Sequence, residues 1–331
     1  MALVRMAQYG TKHPHASGKL KAMLQDPSIE LVGVYEEDPE QLAKVKDEEA
    51  YQGLHWYEDL SDMLSDSSIV AVAAEGANHE NLGYTEACIE AGKHVWCDKP
   101  AGEDQAYWKR VVKRAQEESL HVQLGYMYRY HYGFQQIAGW AKSGVLGELV
   151  EVRARIGTNT PAQHRRELSR YRGGIFFELA GHAVDQVVWL LGRPQKITTF
   201  LRNDSPDVPG FVDNTLAVYE YERAFGMIDM SALEPSPPAR RFEVYGTRGS
   251  AIMQPFDNAK DIRLCLTEAQ AGFVKGEQIV PIEPQTRQEL YNRALGAFTG
   301  TILGQQESDR SFDHELIAQE TLLRTTGHLT L

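Results

Sequence analysis

The sequence has few cysteines and no long apolar run. Its 331 residues include three cysteines, whose spacing matches neither a disulfide framework nor a metal-binding motif. The longest apolar runs, such as residues 69–74, are far shorter than the roughly 20 residues that cross a bilayer. No signal peptide is recognisable at residues 1–4. These absences argue against a secreted disulfide-rich protein and a membrane protein, and we expect a cytoplasmic protein.

Positive charge is also scarce in this chain. The formal net charge is -12 and no basic patch stands out, so neither nucleic acid nor an anionic membrane is an expected partner. Hydrophobic residues make up 42% and charged residues 24% of the chain, which is typical of globular proteins. A chain of this length usually divides into more than one domain.

Strand-like and helix-like segments alternate up to about residue 120. The strand-like segments are residues 4–10, 29–35, 69–74, 94–97 and 121–124. Alternation of this kind indicates right-handed crossovers and a parallel sheet. We therefore predict an α/β fold that begins with a doubly wound domain over residues 1–124.

The pattern changes after residue 148. Strand-like segments with alternating polarity follow one another without intervening helices, over residues 149–156, 196–201, 215–221, 226–231 and 241–246. Such a run favours an open, mainly antiparallel sheet. One long helix is predicted over residues 174–191, and a last helix over residues 314–326 is expected to pack back. The second predicted domain is an α/β domain over residues 125–331.

The first turn stands where a dinucleotide-binding fold places its glycine fingerprint. Only Gly10 matches the three glycines, because Lys12 and His15 occupy the other two places. The turn, which also contains Thr11 and His13, still leads into a helix amino end whose free N–H groups can bind a pyrophosphate. Two histidines two positions apart without a third ligand are more often turn residues than metal ligands, so we predict no metal.

Glu36 ends the second strand. It is an acid at about the spacing from Gly10 at which the fingerprint places the residue that binds a ribose diol. Glu37 and Asp38 follow, and this acidic run would repel an extra 2′-phosphate, which favours NAD over NADP. The alternative is a solvated acidic turn.

Lys99 follows a short buried strand and is itself followed by Pro100. A strand that delivers a lysine and then stops would place one ammonium at the carboxyl end of a parallel sheet, where such folds bind ligands. An ordinary surface lysine is the alternative.

The helix predicted over residues 174–191 is apolar at nearly every position. Its polar residues Glu178, His182 and Asp185 are spaced by four and three, so they share one helix face. An imidazole flanked by carboxylates suits a general acid or base, and we expect Glu178 and Asp185 to bind substrate as well. A buried network of structural hydrogen bonds is the other interpretation.

Two further segments could bind a substrate rich in hydroxyl groups. The aromatic stretch of residues 126–132 includes Tyr126 and Arg129, although aromatic core packing is equally consistent with it. Arg172 belongs to a group of arginines between residues 165 and 172, which could equally form a solvated loop face.

Four motifs in order resemble the Gfo/Idh/MocA family of nicotinamide-dependent sugar and inositol oxidoreductases. They are Glu-Ala-Gly-Lys-His-Val-Trp-Cys-Asp-Lys-Pro (90–100), Gly-Tyr-Met-Tyr-Arg-Tyr (125–130), Gly-Gly-Ile-Phe-Phe-Glu-Leu-Ala-Gly-His (173–182) and Phe-Glu-Val-Tyr-Gly-Thr-Arg-Gly-Ser (242–250). The resemblance implies an NAD-binding Rossmann domain, a second α/β domain with an open sheet, and a homodimer or homotetramer built through that sheet.

The resemblance also implies roles for single residues. Lys99 matches the lysine of the family's Glu-Lys-Pro motif, with Asp98 in place of the glutamate, and is expected to contact substrate and cofactor. His182 matches the proposed acid or base, and Glu178 stands where an aspartate is usual. Asn78 matches the asparagine of a cofactor-binding loop.

These features together predict an NAD-dependent dehydrogenase that acts on a secondary alcohol of a sugar, an inositol or a related polyol. Two alternatives remain open at this point. A glycosidase with tightly held NAD is one, since the family includes such members. A non-catalytic sensor is the other, motivated by the altered glycine turn.

Overall fold

A computed structural model describes residues 3–329. The chain divides into two compact units. The first unit contains the residues up to Met127 together with Arg287–Leu316, and the second contains Tyr128–Thr286 and the residues from Ile317 onward. No helix in this part of the chain is both long and apolar enough to cross a membrane.

Strands and helices alternate through most of the first unit. In chain order they are β1 (Val4–Tyr9), α1 (Ala16–Gln25), β2 (Ile29–Tyr35), α2 (Pro39–Val45), α3 (Leu60–Ser65), β3 (Ala71–Ala74), α4 (Asn81–Glu90), β4 (His94–Cys97), α5 (Gln105–Glu117) and β5 (Val122–Leu124). The five strands form one sheet in the order β2-β1-β3-β4-β5, and every pair is parallel. The predicted doubly wound sheet is confirmed.

The central strands of this sheet are buried. All four residues of β3 are buried, and so are Val95, Trp96 and Cys97 of β4. Helices cover both faces of a doubly wound parallel sheet, so such strands carry continuous apolar runs instead of alternating ones. This requirement explains the short apolar segments that marked the strands in the sequence.

The second unit is built on an eight-stranded sheet. Its elements are α6 (Tyr132–Lys142), β6 (Leu149–Arg155), α7 (Ala162–Leu168), α8 (Gly174–Leu179), α9 (Gly181–Leu191), β7 (Lys196–Arg202), β8 (Asn214–Glu220), β9 (Phe225–Ser231), β10 (Arg241–Gly246), β11 (Gly249–Met253), β12 (Asp261–Leu266) and β13 (Gly276–Pro281). The strand order is β13-β12-β11-β10-β6-β9-β8-β7. The pair β6 and β9 is parallel, and the other pairs are antiparallel. The predicted mainly antiparallel sheet is confirmed.

Alternating burial shows how this sheet is covered. Burial alternates residue by residue along β8 and β9, as expected when one face is packed and the other is more exposed. The helix α9 packs on β6 and β9. The inward-facing residues include Ala217, Tyr219 and Ile228, each fully buried.

The chain ends with two more helices, α10 (Arg287–Ile302) and α11 (Phe312–Thr325). The helix α10 was not predicted from the sequence, and α11 begins two residues before the predicted start of the last helix. The residues of α10 belong to the first unit, where this helix packs on α1. This arrangement differs from the predicted continuous second domain over residues 125–331, because sequence position does not reveal which surface an apolar helix face will cover.

Candidate functional site

The register of the parallel sheet aligns the residues that follow its strands. Tyr9 of β1 pairs with Tyr35 of β2 on one side and with Ala74 of β3 on the other. Ala74 pairs in turn with Cys97 of β4. The next residue of each strand therefore falls in one row at the carboxyl edge, where open α/β sheets bind their ligands. Including the residue after β5, that row consists of Gly10, Glu36, Glu75, Asp98 and Gly125.

Gly10 turns the chain from β1 toward α1. Its φ is +85°, a value that residues with a Cβ rarely adopt. A Cβ at this position would lie 2.8 Å from the ring of Tyr84 and 2.9 Å from the backbone nitrogen of Gly76. Both conformation and space therefore require glycine at the one fingerprint position that the sequence retains.

Glu36 holds the glycine turn in place. One of its carboxylate oxygens accepts hydrogen bonds from the backbone amide of Thr11 at 2.8 Å and from the Thr11 hydroxyl at 2.7 Å. The other oxygen accepts from the amide of Asp38 at 3.0 Å. Glu36 therefore ties the turn to the end of β2, a contact that the sequence analysis did not anticipate.

Lys12 occupies the second glycine position of the fingerprint, and its ammonium reaches two neighbouring loops. The Nζ atom lies 2.7 Å from a carboxylate oxygen of Glu80 and 3.2 Å from one of Asp38. Burial alone would lower the pKa of Lys12, but these two carboxylates raise it. The side chain therefore keeps a positive charge beside the glycine turn.

A cluster of five ionisable side chains lies at the carboxyl edge, and all five residues are buried. The Lys19 ammonium lies 2.5 Å from Oε1 of Glu75 and 3.2 Å from Oδ2 of Asp98. The same Asp98 oxygen lies 3.0 Å from Nδ1 of His15 and 3.4 Å from Nδ1 of His13. We call these residues the edge cluster: His13, His15, Lys19, Glu75 and Asp98.

Burial and charge oppose each other in the edge cluster. Burial lowers the pKa of His13 and of His15, although the Asp98 carboxylate opposes this change. Burial would raise the pKa of Asp98, but the histidines and Lys19 hold it well below its usual range. Burial raises the pKa of Glu75 to about 8, against the opposing charge of Lys19. Glu75 is therefore the member whose titration falls near neutral pH.

The edge cluster also has a spacing that a metal ion could use. One ligand atom each from His13, His15 and Asp98 lies within 4.8 Å of the others. However, the Lys19 ammonium already faces the Asp98 carboxylate, and the charge of Lys99 helps to lower the pKa of His13. Because two ammonium groups supply the counter-charge, we assign no metal to the cluster.

Lys99 begins the loop after β4 and lies next to this cluster. Its backbone amide donates to Oδ1 of Asp98 at 2.7 Å, and the residue is 2% exposed. Its charge is among the causes that lower the pKa of His15. Asn78, in the loop after β3, is also buried. The structure thus brings Lys99 to the same edge of the sheet as Gly10.

In the second unit, the predicted helix over residues 174–191 is divided at Ala180. Glu178 lies in α8 and is partly exposed, whereas His182 lies in the first turn of α9 and is 2% exposed. The His182 ring packs edge-on against Tyr128, with the ring centroids 5.1 Å apart. The two residues therefore stand on separate short helices instead of on one continuous helix face.

Asp185 and Arg129, both predicted to bind substrate, pair with each other. The Asp185 carboxylate lies 2.6 Å from the Arg129 guanidinium, and both side chains are almost fully buried. The indole of Trp189 covers the guanidinium at 4.3 Å, and Gln186 donates to the second carboxylate oxygen at 3.0 Å. This pair fixes α9 to the segment that follows Met127.

The two remaining predicted substrate residues lie in different units. Tyr126 belongs to the first unit, where it is 1% exposed and the guanidinium of Arg310 lies 5.6 Å from its ring. Arg172 belongs to the second unit and is exposed.

Lys19 and Glu75 were not among the site residues predicted from the sequence. A signal for each was present: Glu75 directly follows the apolar run that became β3, and Lys19 stands four residues after His15 on α1. Residues that follow parallel strands share an edge, and residues four apart share a helix face. What the pattern did not reveal is that this helix face is turned toward that edge.

Comparison with known proteins agrees with these features. Residues 9–126 match an oxidoreductase family described by its NAD-binding Rossmann fold, and residues 134–252 match the C-terminal domain of the same Gfo/Idh/MocA family. The chain belongs to the Gfo/Idh/MocA family. It is therefore an oxidoreductase, and the prediction of NAD as its cofactor is confirmed.

Several known members of the Gfo/Idh/MocA family are similar to the chain. A myo-inositol 2-dehydrogenase of Thermotoga maritima is 24% identical over 277 residues, which cover 82% of this chain and 78% of the relative. An inositol 2-dehydrogenase of Salmonella typhimurium is 27% identical over 167 residues, about half of each chain (50% and 48%). The crystal structure of an oxidoreductase from Agrobacterium radiobacter in complex with NAD+, L-tartaric acid and magnesium shares the fold, with a TM-score of 0.81, 17% identity and coverage of 96% of this chain and 94% of that one.

The first unit fits a dinucleotide despite its altered fingerprint. The side chains at the two substituted glycine positions are held by protein partners, since Lys12 pairs with Glu80 and His15 contacts Asp98. In addition, a cavity of about 570 Å³ opens beside Glu36 and is lined by aromatic rings that suit a planar base. The residues present therefore agree with the cofactor of the family.

Proposed function

We propose that this protein oxidises a secondary alcohol of a sugar, an inositol or a related polyol, with NAD as the hydride acceptor. The placement of Lys99 carries the proposal, because a buried ammonium follows β4 at the same sheet edge as the glycine turn. The family of oxidoreductases and the two inositol 2-dehydrogenases among its relatives support the class of substrate.

The first unit would hold the cofactor at its carboxyl edge. In this proposal the glycine turn and the amino end of α1 bind the pyrophosphate, and the acidic end of β2 favours NAD over NADP. Bound NAD supplies the acceptor for the hydride that leaves the alcohol carbon. The residues that we assign to this task are Gly10, Thr11, Lys12, His13, His15, Glu36, Asn78 and Lys99.

Two side chains carry the proton and charge chemistry in this proposal. His182 takes the hydroxyl proton as a general base, and Lys99 stabilises the negative charge that develops on the alcohol oxygen. Glu178, which keeps exposed surface, binds a substrate hydroxyl, as does Arg172. Arg129 and Asp185 are assigned no direct contact with the substrate in this proposal, because they form a buried ion pair with each other.

A screen of sugars and inositols at fixed NAD tests this function. Turnover is read from the absorbance of reduced nicotinamide, and we expect at least one polyol to be oxidised. Lys99→Met should lower kcat by about 10²-fold or more, because it removes a group that stabilises transition-state charge. The melting temperature should stay near that of the unchanged protein.

Two results would contradict the proposal in different ways. An active Lys99→Met enzyme would exclude the role of Lys99 while leaving the reaction class standing. Cleavage of a chromogenic glycoside without net formation of reduced NAD would replace the dehydrogenase with a glycosidase.

A further inference from the structure

Lys19 occupies an unusual place for a lysine. It lies on the inner face of α1 and is fully buried, and its Nζ atom lies 4.4 Å from the centroid of the Trp96 ring and 3.3 Å from the Trp96 carbonyl oxygen. Its ammonium bridges the carboxylates of Glu75 and Asp98. A lysine is almost never fully buried unless it is paired, so this position depends on the two carboxylates.

Asp98 connects this ammonium to Lys99. One Asp98 oxygen faces Lys19, whereas the other accepts the backbone amide of Lys99. A Cβ at Gly125 would lie 2.9 Å from both Asp98 oxygens, so the carboxylate fills the space that the glycine leaves. The Asp98 carboxylate is therefore confined between Lys19, the Lys99 backbone and Gly125.

Two departures from family motifs meet at this carboxylate. His15 stands at the third glycine position of the fingerprint, and Asp98 stands where glutamate is usual. Nδ1 of His15 lies 3.0 Å from one Asp98 oxygen and 3.2 Å from the other. The two substitutions are thus in direct contact, and the shorter acid lies within reach of the α1 side chains.

We propose that Lys19 is a positioning residue that acts through Asp98 to hold Lys99 in place at the sheet edge. The inference rests on the function proposed above, because it concerns the geometry of the same lysine. Lys19 fixes the Asp98 carboxylate, and the carboxylate fixes the backbone from which the Lys99 side chain leaves. Glu75 accepts a hydrogen bond from Lys19 and anchors it to the end of β3.

The charges around this link come from three elements. The α1 side contributes His13, His15 and Lys19, and the ends of β3 and β4 contribute Glu75 and Asp98. Removal of Lys19 alone would leave the buried Asp98 carboxylate without its cation and Glu75 without its hydrogen-bond donor, which is strongly destabilising. The test therefore changes Glu75 together with Lys19.

A double variant makes that change. Lys19→Met combined with Glu75→Gln replaces the buried hydrogen-bonded pair by neutral side chains of similar volume and leaves Asp98 without its ammonium partner. The matched control is Arg310→Met combined with Glu315→Gln, which removes another buried pair of the first unit, at 3.0 Å, that is bonded to the backbone of Leu124 in β5.

Three measurements separate a positioning role of Lys19 from an effect on stability alone. The ¹³C relaxation of a protein labelled at lysine Cε reports how firmly Lys99 is held, with its signal assigned by its loss in Lys99→Met. Steady-state kinetics with the polyol found in the screen give kcat and KM separately. Calorimetry with reduced NAD shows whether the first unit still binds its cofactor.

We expect the double variant to free the Lys99 side chain and to lower kcat by about 10²-fold, the typical effect of a small displacement of a reacting group. The loss should appear in kcat more than in KM, reduced NAD should still bind through the other residues assigned to it, and the control should keep a firmly held Lys99. A double variant whose Lys99 signal and kcat match those of the unchanged protein would overturn the inference. Equal loss in the control would overturn it as well.

If the double variant does not fold, Asp98→Asn decides the question. It keeps an oxygen for the Lys99 amide but removes the charge that holds Lys19, and the same mobility of Lys99 is expected. If no polyol is oxidised by the unchanged protein, the proposed function fails, yet the relaxation measurement still decides whether Lys19 holds Lys99.

Discussion

Glu75 shows how its surroundings change the chemistry of one side chain. The residue follows β3 in the row at the carboxyl edge, and burial raises the pKa of its carboxyl from the ordinary value of 4.5 to about 8. Lys19 opposes this change because its charge favours the ionised acid. The result is a carboxyl group that exchanges a proton near neutral pH inside the first unit.

This pKa predicts a pH dependence of stability. Between about pH 5 and pH 8, the folded protein retains a proton that Glu75 has lost in the unfolded chain, so the free energy of unfolding falls as pH rises through this range. Urea unfolding at several pH values measures the slope. We expect Glu75→Gln to make the slope shallower over the same range.

Asp98 does not contribute to the slope between about pH 5 and pH 8. Its pKa is held well below the ordinary 3.8, so its contribution is lost only in acid, outside the window of Glu75. Identical slopes for the unchanged protein and Glu75→Gln would mean that Glu75 is ionised in the folded state throughout this range.

Among the helices, α9 depends on an ion pair for its attachment. Asp185 binds Arg129 in a site from which water is almost fully excluded, and the Trp189 ring covers the guanidinium. Removing one partner of such a buried pair is costly, because the charge of the other partner then stays in the interior without water or a counter-ion.

We predict that Asp185→Asn lowers the free energy of unfolding by about 3 kcal/mol, because it leaves the Arg129 charge in the interior without its carboxylate. Chemical denaturation measures the change. Lys113→Ala is the control, since it removes an ion pair with Glu117 that is largely exposed on α5. That variant should show no measurable loss, and equal losses in both would argue against a special role for the buried pair.

A helix from near the end of the chain completes the unit that the start of the chain forms. After the second sheet is complete, α10 packs on α1 in the first unit. Phe298 of α10 is fully buried, with its ring centroid 6.5 Å from that of Trp96 and 5.5 Å from that of His121. The first unit therefore depends on residues that lie far along the chain.

We predict that Phe298→Ala lowers the free energy of unfolding by about 3 kcal/mol, through the loss of a large buried ring. The unfolding transition that coincides with loss of reduced NAD binding should be the one that moves. Leu303→Ala, at a position 42% exposed just after α10, is the control and should leave this transition in place. A shift in some other transition alone would show that α10 does not support the first unit.

The local pattern of polar and apolar residues was sufficient to predict the fold class of both domains. The alternation of strand-like and helix-like segments predicted the parallel sheet, because crossover helices connect parallel strands, and alternating polarity predicted the open sheet. The same reasoning placed Lys99 and Glu36 at one edge, since parallel strands end on the same side. The motifs then indicated the family and the cofactor before any contact was known.

The contacts between side chains distant in the sequence could be known only from the tertiary structure. Lys19 pairs with Glu75, Arg129 pairs with Asp185, and α10 joins the first unit. Each of these contacts joins residues far apart in the sequence. Each depends on strand register and on the rotation of a helix about its axis, and a local pattern of polar and apolar residues does not specify which distant surface such a face will meet.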